Sequence, residues 1–364
     1  MQLIQRENKE RPVLPDCYGG LPYYSLDAAL RRQFGGKVYK LALSSGCTCP
    51  NRDGRVGSGG CSFCGEGGAG EFAAEGSLPI AAQLEEAKAR VQAKCSKSFA
   101  GYIAYFQSFS NTYGPLERLG PLFEAAIRPA EVLALSLATR PDCLEVEMLR
   151  FLSELNRRKP VWVELGLQTM HEDTARLINR GYELPVFEEA LRRLKAAGLT
   201  AVVHVIAGLP GEDAARTKET VRYLAGLGQV DGIKLHLLHV MRGTRLAKQY
   251  GFEPKNEPDN RFGNESENEP LPDPSASLAN SAQLDRELPP LFSYSLEAYA
   301  DLVVDLIELL PPDLVVHRIT GDAPKRLLLS PLWTGDKKRV LNTIHRRFRE
   351  RGAFQSRCFE PAAF

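Results

Sequence analysis

Short apolar runs that alternate with amphipathic segments are the feature that most restricts how this chain can fold. The runs are continuous and rich in β-branched residues, as in strands that are buried on both faces of a parallel sheet. From the second run onward they repeat at roughly the length of a βα unit, about 30 to 40 residues. They occupy residues 38–43, 102–106, 132–138, 161–165, 200–209 and 232–240. Six such units predict a parallel barrel or partial barrel, and a doubly wound sheet is the alternative.

Polar or glycine-rich residues follow every predicted strand. They occupy residues 46–65, 107–113, 138–142, 164–169, 207–212 and 235–239. Because the carboxyl ends of parallel strands meet at one edge of a sheet, we expect these segments to converge on one site.

Four of the eight cysteines lie together in residues 46–65, at Cys47, Cys49, Cys61 and Cys64. Clustered cysteines without a disulfide framework more often bind metal. Four thiolates would satisfy a closed zinc site, but zinc modules favour two to four residues between paired cysteines, and one residue separates Cys47 from Cys49. Three thiolates on a glycine-rich loop suit an iron–sulfur cluster, whose charge backbone N–H groups stabilise. Both interpretations stand at this point.

The composition of the whole chain excludes few functions, but one segment, residues 253–290, differs in composition from the rest. Lys and Arg number 46 against 45 Asp and Glu, so the net charge of +1 gives no global argument for a nucleic-acid partner. No run approaches the roughly 18 apolar residues of a membrane span, and the polar N-terminus lacks a signal-peptide core, so we expect a cytoplasmic protein with no membrane partner.

Residues 253–290 are rich in Pro, Asn, Glu and Ser and predict a disordered insertion. We expect an N-terminal segment over 1–30, a barrel over 31–252 and an extension packed on it over 291–364.

The cysteine loop resembles that of a known family. CSFC at 61–64 has the C-x-aromatic-C form that ends the cluster loop of radical S-adenosylmethionine (SAM) proteins, although the first cysteine, Cys49, lies further away than usual. CPNRDG followed by GGCSFC is similar to the YhcC/YtqA-like (MnmL-type) radical SAM family, which is related to the catalytic subunit of Elongator. The likeness extends over most of residues 24–350 through FGGKVYKLAL, FQSFSNTY, TRPDCL, VELGLQT, GLPGE, DGIKLHLLHV and HRITGDAPKRLLLSPLW. It implies an α/β fold, a partial (β/α)6 barrel of the radical SAM type with a C-terminal α/β extension.

The resemblance also implies the cofactors. Cys49, Cys61 and Cys64 would ligate three irons of a [4Fe–4S] cluster, and SAM would bind the fourth iron through its amino and carboxylate groups. Cys47 would then be a non-ligand. One electron would cleave SAM to methionine and a 5′-deoxyadenosyl radical, which removes a hydrogen atom from the substrate. An electron donor of the flavodoxin or ferredoxin type is the implied partner.

Six more residues are candidate cofactor contacts: Phe63, Gln107, Ser108, Arg140, Gln168 and Gly208. Phe63 would lie near the adenine, and Gly208 would let the backbone approach it closely. Ordinary structural roles compete with these assignments. The alternatives are simple packing for Phe63, an ordinary turn for Gln107 and Ser108, and a pairing of Arg140 with Asp142. For Gln168, as for Glu164 on the same strand, the alternative is a buried polar group that the core satisfies. No catalytic residue is assigned.

The substrate follows from the resemblance alone. Kinship with Elongator implies a tRNA substrate and chemistry at carbon 5 of a wobble uridine. Residues 337–357 carry eight Lys or Arg and one acidic residue, a pattern typical of phosphate contact or of a solvated basic helix. Lys234 and His236 alternate on one predicted strand face and are candidate substrate contacts, whereas lone histidines such as His204 more often lie in a core. Two other functions stay open: a radical SAM enzyme acting on a small metabolite or peptide, and a zinc-stabilised binding protein without catalysis.

Overall fold

The computed structural model describes residues 15–68, 70, 73–92, 95, 99–253 and 288–361. Each of the six apolar runs contains a strand, because β-branched and aromatic side chains fill both faces of a covered sheet. The strands are β1 Val38–Leu43, β2 Gly101–Phe106, β3 Val132–Thr139, β4 Val161–Gln168, β5 Thr200–Ala207 and β6 Gly232–Leu237. The predicted disordered insertion at 253–290 lies outside the described residues except at its two ends, as does the start of the N-terminal segment. The predicted domain division stays a prediction.

The last predicted strand is shorter than its apolar run. The chain leaves the sheet after β6, and Val240–Met241 forms a separate strand, β7. β7 pairs antiparallel with a C-terminal strand, β9, at Leu328–Ser330. The apolar residues Leu238 and Val240 are buried in a small cluster with Leu209 and Leu246.

The main sheet has seven parallel strands in the order β1-β2-β3-β4-β5-β6-β8. The seventh, β8, is Val315–Arg318, which pairs with β6. On its other side Val316 donates a backbone hydrogen bond of 2.8 Å to Tyr24, and Ser25 forms an isolated bridge to it. The predicted α/β partial barrel is confirmed.

The sheet is strongly curled. The ammonium groups of Lys40 on β1 and Lys234 on β6 both contact the carboxylate of Glu164 on β4. Neighbouring strands lie about 4.8 Å apart, so in a flat sheet these side chains would be too distant to meet. The ring of His317 on β8 also lies 5.6 Å from that of Trp162 on β4. The concave face therefore encloses a chamber lined by polar side chains.

The described helices are α1 Leu26–Phe34, α2 Ile80–Gln92, α3 Leu116–Ile127, α4 Val146–Asn156, α5 Glu172–Leu177, α6 Leu184–Ala196, α7 Ala214–Gly226, α8 Arg245–Gln249, α9 Leu296–Glu308 and α10 Lys337–Arg351. The crossover helices α2, α3, α4, α6, α7 and α9 cover the convex face, because the βα crossovers place them there. Helix α1 instead packs against the inner face, where Leu30 clusters with Val38, Ile103 and Trp162. Side-chain caps mark several starts: Ser295 accepts from the Ala298 N–H at 3.1 Å. Among the described residues, no helix is long and apolar enough to cross a membrane.

The C-terminal helices α9 and α10 pack on each other through charged as well as apolar contacts. Arg351 near the end of α10 reaches Asp305 and Glu308 of α9, and Arg347 reaches Asp301. These pairs occupy one face of α10 and fix it against α9.

Candidate active site

The cysteine loop follows β1 directly, and Cys47 differs from the other three cysteines of the loop. Cys47 is only 7% exposed and belongs to the main apolar core. Its Sγ lies 3.0 Å from Nη2 of Arg118, whose Nη1 donates to the Ser45 carbonyl at 2.9 Å. The Cys47 thiol is therefore engaged by α3.

Cys49, Cys61 and Cys64 are partly exposed and act on one another. Burial, and then the neighbouring Cys64 thiol, raises the pKa of Cys61 to about 12, and Cys49 adds to this. The Arg140 guanidinium works in the opposite direction. Thiolates at such a place form only with a cationic group to compensate them, which is the chemistry of thiolate ligation to iron.

The described cysteines do not form a closed single-ion site. Within the described part of the chain, no three His, Cys, Asp or Glu side chains have the arrangement of a metal-ion site. A [4Fe–4S] cluster takes each thiolate on a separate iron, so its ligands need not converge on one point. Three partly exposed cysteines, with Cys47 held in the core by Arg118, match the three protein thiolates of such a cluster better than the four ligands of a closed zinc site.

Gln168 ends β4 in an unusual conformation. Its φ is +66°, in the left-handed region that non-glycine residues rarely adopt, and its Oε1 is buried without a hydrogen-bond partner among the described residues. The side chain folds over Gly166, where a Cβ would lie 2.8 Å from its Nε2. A strained residue with an unused buried acceptor is suited to receive a donor from a ligand such as an amino group.

Gln107 and Ser108 follow β2. Ser108 is buried, and a Cβ on Gly70 would lie 1.7 Å from its Oγ, so the chain after the cysteines covers it closely. The Gln107 backbone N–H donates to the Leu43 carbonyl at 3.3 Å, which ties the end of β2 to the end of β1. Both residues thus lie beside the start of the cysteine loop.

Arg140 follows β3 and is fully engaged by protein groups. Its Nε and Nη2 bind the two carboxylate oxygens of Asp142 at 2.9 and 2.7 Å, and Nη1 donates to the Arg180 carbonyl at 2.7 Å. The pairing with Asp142 anticipated from the sequence is present. Arg140 acts on the cysteines through its charge.

Phe63 and Gly208 lie on the side of β5 and β6. The Phe63 ring packs against the small apolar cluster that contains Ile178, Leu209 and Leu246. Gly208 has φ +79°, and a Cβ there would lie 3.1 Å from the Phe292 carbonyl oxygen. Glycine at 208 therefore allows residue 292 to approach the end of β5.

Inside the chamber, Glu164 is the centre of a buried polar network. Its Oε1 lies 2.7 Å from Ser136 Oγ and 3.2 Å from Lys40 Nζ. Its Oε2 lies 3.0 Å from His204 Nε2 and contacts Lys234 Nζ. Burial alone would raise the pKa of Glu164, but Lys234 and Lys40 hold it well below its usual range. Because a carboxylate has about four lone-pair sites, Glu164 is a satisfied core group.

Four histidines surround this network. Ring nitrogens of His236, His239 and His317 are buried without a hydrogen-bond partner among the described residues. Burial lowers the pKa of His204 and of His239 to about 4, and those of His236 and His317 well below 6.5. The imidazoles are neutral at pH 7, and one ring nitrogen each of His236, His239 and His317 is an unused donor or acceptor among the described residues.

Four residues that the sequence did not single out contact the predicted site residues or the Glu164 network. The Tyr105 hydroxyl lies 3.1 Å from Lys234 Nζ, and Ser136 Oγ lies 2.7 Å from Glu164. Asn51 Nδ2 lies 3.8 Å from Cys61 Sγ, and the Arg180 carbonyl accepts from Arg140. A buried polar residue in a strand is the one signal that points to such partners.

Two family models match the chain. The model described as Radical SAM superfamily matches residues 48–224, and the Radical_SAM C-terminal domain matches residues 289–350. The chain is 39% identical to YtqA of Bacillus subtilis over 338 residues, 93% of each chain. It is 32% identical to YhcC of Escherichia coli (strain K12) over 335 residues, 91% of this chain and 94% of that protein.

Elongator proteins are more distant relatives. Elongator complex protein 3 of Danio rerio is 26% identical over 211 residues, which span 57% of this chain and 31% of that protein. Among solved structures, the archaeal Methanocaldococcus infernus Elp3 superimposes with a TM-score of 0.59 at 14% identity, over 87% of this chain and 64% of that one. That likeness shows the fold.

Proposed function

This chain belongs to the radical SAM superfamily and, within it, to the family of YtqA and YhcC, and on that basis we propose that it modifies a wobble uridine of tRNA. The superfamily's cofactors are a [4Fe–4S] cluster and SAM, and the chain is a radical SAM enzyme. When bound, these cofactors supply a 5′-deoxyadenosyl radical, formed with methionine when one electron enters, that takes a hydrogen atom from the substrate. We assign the electron donor to the flavodoxin or ferredoxin type.

The observation that carries the proposal is the division of the four loop cysteines into three and one. Cys49, Cys61 and Cys64 lie close enough for their charges to interact, whereas Cys47 faces Arg118 in the core. We assign the first three as cluster ligands. The positive charge of Arg140 beside them favours thiolates and offsets part of the charge of a loaded site.

Polar and glycine residues at the other strand ends complete the site. The unpaired Oε1 of Gln168 is assigned to accept a hydrogen bond from the SAM amino group. Gln107 and Ser108 lie between the cysteine loop and β2, and Phe63 and Gly208 lie on the opposite side. The buried Glu164 network lies below them, toward the start of the strands.

Similarity to Elongator complex protein 3 supports a tRNA substrate, and the basic helix α10 offers a surface for it. One face of α10 is neutralised by α9, as described above. The other face borders a hollow of about 400 Å³ lined by Asp336, Lys338, Arg339, Asn342, Thr343 and Arg346. Lys337 at the start of α10 pairs with Asp322, which also pairs with Arg318 at the end of β8, so the helix begins beside the mouth of the barrel. Phosphates are the ligands that such cations prefer.

Cysteine replacement tests the ligand assignment. After anaerobic reconstitution, Cys49→Ala, Cys61→Ala and Cys64→Ala should each lose most of the iron, because each removes one of three protein ligands. Cys47→Ala is the matched control and should keep iron and sulfide at the wild-type ratio. Zinc in the wild-type protein without sulfide would contradict the cluster.

Nucleoside analysis tests the substrate. Transfer RNA from a strain that lacks this gene should contain an altered wobble uridine, which the wild-type gene restores and the Cys61→Ala gene does not. An unchanged nucleoside profile, together with SAM cleavage by the purified protein, would indicate a metabolite or peptide substrate instead.

A further inference from the structure

The segment between Cys49 and Cys61 folds back on itself, so the long spacing in sequence is short in space. The Gly60 N–H donates to the Asn51 carbonyl at 2.8 Å, and the Arg52 N–H donates to the Cys49 carbonyl at 2.8 Å. The chain thus leaves the site at Asn51 and returns at Gly60. Most of residues 53–59 are exposed. The two cysteines lie on either side of this closed neck.

The Asn51 side chain connects the neck to the second cysteine. Asn51 is 1% exposed, its Nδ2 donates to the Asn179 carbonyl at 2.6 Å, and the same atom lies 3.8 Å from Cys61 Sγ. Its Oδ1 lies against two glycines: a Cβ on Gly57 or Gly181 would be 2.4 or 2.8 Å from it. Backbone on both sides therefore fixes the orientation of this amide.

The next residue, Arg52, connects the same stretch to the third cysteine. Its Nη2 donates to the Cys64 carbonyl at 3.0 Å and also to that of Gly65. The guanidinium lies 5.3 Å from the centre of the Phe109 ring, which holds it in place. Consecutive side chains after Cys49 thus reach the neighbourhoods of the other two cysteines.

Residues 178–182 receive these contacts and are rigid themselves. Asn179 donates from Nδ2 to the Gly60 carbonyl at 2.8 Å, and the Ser62 N–H donates to the Ile178 carbonyl at 2.9 Å. Arg180, 1% exposed, donates to the Thr169 carbonyl at 2.6 Å. The neck is therefore fastened to the end of β4, beside Gln168.

We propose that Asn51, Arg52 and Asn179, the ligand brace, are positioning residues that hold the thiols of Cys49, Cys61 and Cys64 at the separations that a [4Fe–4S] cluster needs. This inference rests on the proposed function, since it takes these three cysteines as the ligands. Replacing a group that hydrogen-bonds to a metal ligand, without binding the metal itself, typically lowers metal affinity by about 10- to 100-fold. The brace replaces the short sequence spacing that would otherwise fix the first two ligands.

The test compares reconstituted full-length variants under anaerobic conditions. Asn51→Ala removes the central amide, and Asn179→Gly removes the opposing amide while keeping the φ of +53° that glycine readily adopts. Both should release iron to a chelator about 10-fold faster than wild type, with a split or broadened electron paramagnetic resonance spectrum of the reduced cluster. Asn51→Ala removes the bond to the Asn179 carbonyl and Asn179→Gly removes the bond to the Gly60 carbonyl, so the double variant should release iron at least as fast as the worse single variant. Arg52→Lys, which keeps the charge but not the forked geometry, should also change the spectrum.

Ser58→Ala is the matched control, because Ser58 is exposed on the same loop and should leave spectrum and iron release unchanged. Wild-type iron release and spectra in Asn51→Ala and Asn179→Gly, with iron lost from Cys61→Ala, would overturn the brace alone. Iron retained by Cys61→Ala would overturn the proposed ligands. If Asn51→Ala is insoluble, Asn179→Gly and Arg52→Lys decide the outcome.

Discussion

The carboxylate of Glu164 contacts side chains from four other strands, through Lys40, Ser136, His204 and Lys234. Burying a carboxylate costs desolvation free energy, and the buried charge is stabilised only when partners satisfy its lone pairs. Its removal leaves the Lys234 ammonium, only 3% exposed, without its counter-charge. Glu164 therefore stabilises the interior of the barrel.

Glu164→Gln should lower the free energy of unfolding by about 3 to 5 kcal/mol, because it breaks a buried ion pair on one side only. Urea unfolding at pH 7 measures this. Glu85→Gln is the control: Glu85 pairs with Lys88 at the surface, where its side chain is 74% exposed, and should cost less than about 1 kcal/mol. A Glu164→Gln midpoint equal to that of Glu85→Gln would contradict the role of the network.

Stability should fall between pH 7 and pH 5. In the folded chain burial lowers the pKa of His239 to about 4, below the value of about 6.5 in the unfolded chain. The unfolded chain therefore binds a proton that the folded chain does not, so stability is complete above pH 6.5 and is lost as pH falls toward 4. His204, His236 and His317 act in the same direction.

Urea midpoints from pH 7.5 to pH 5 measure this slope. His239→Gln should flatten it by about one proton, because the glutamine amide does not titrate in this range. A variant slope equal to that of the wild type would show that His239 is protonated in the folded chain.

At the scale of elements, helix α10 has two faces with different roles. Arg347 and Arg351 face acidic side chains of α9, whereas Lys338 and Arg339 face the hollow. The sequence alone showed only that the helix is basic, because charge pairing depends on α9, about 40 residues earlier. The ion pairs with α9 thus identify Arg347 and Arg351 as cations that hold the helix, and leave Lys338 and Arg339 available to a ligand.

The double variant Lys338→Glu/Arg339→Glu should bind tRNA more weakly. The slope of log K against log salt concentration should become shallower by the equivalent of about two phosphate contacts, and the urea midpoint should not change. Arg351→Ala should leave the salt slope unchanged and lower the urea midpoint, because it leaves the mostly buried Glu308 with fewer partners. Filter binding at several salt concentrations measures the first effect. Equal salt slopes for the wild type and the Lys338→Glu/Arg339→Glu variant would exclude α10 from the proposed RNA surface.

At the scale of the whole molecule, local patterns predict the elements and long-range contacts decide the site. The apolar runs locate six strands within a few residues, because burial on both faces leaves a local signal. Asn51 gives no such signal, since its partner Asn179 lies 128 residues away in sequence. The pairing of Cys47 with Arg118 depends likewise on how α3 packs. A resemblance between loops carried the ligand prediction where periodicity could not.

The position of β8 has a consequence for the order of synthesis. The strand that completes the sheet, Val315–Arg318, lies between β6 and the backbone of Tyr24 and Ser25 near the start of the chain. A nascent chain from which β1 to β6 have emerged still lacks the neighbour of β6 and the ring partner of Trp162. Since domains fold as units during translation, the sheet stays incomplete until Val315–Arg318 emerges from the ribosome.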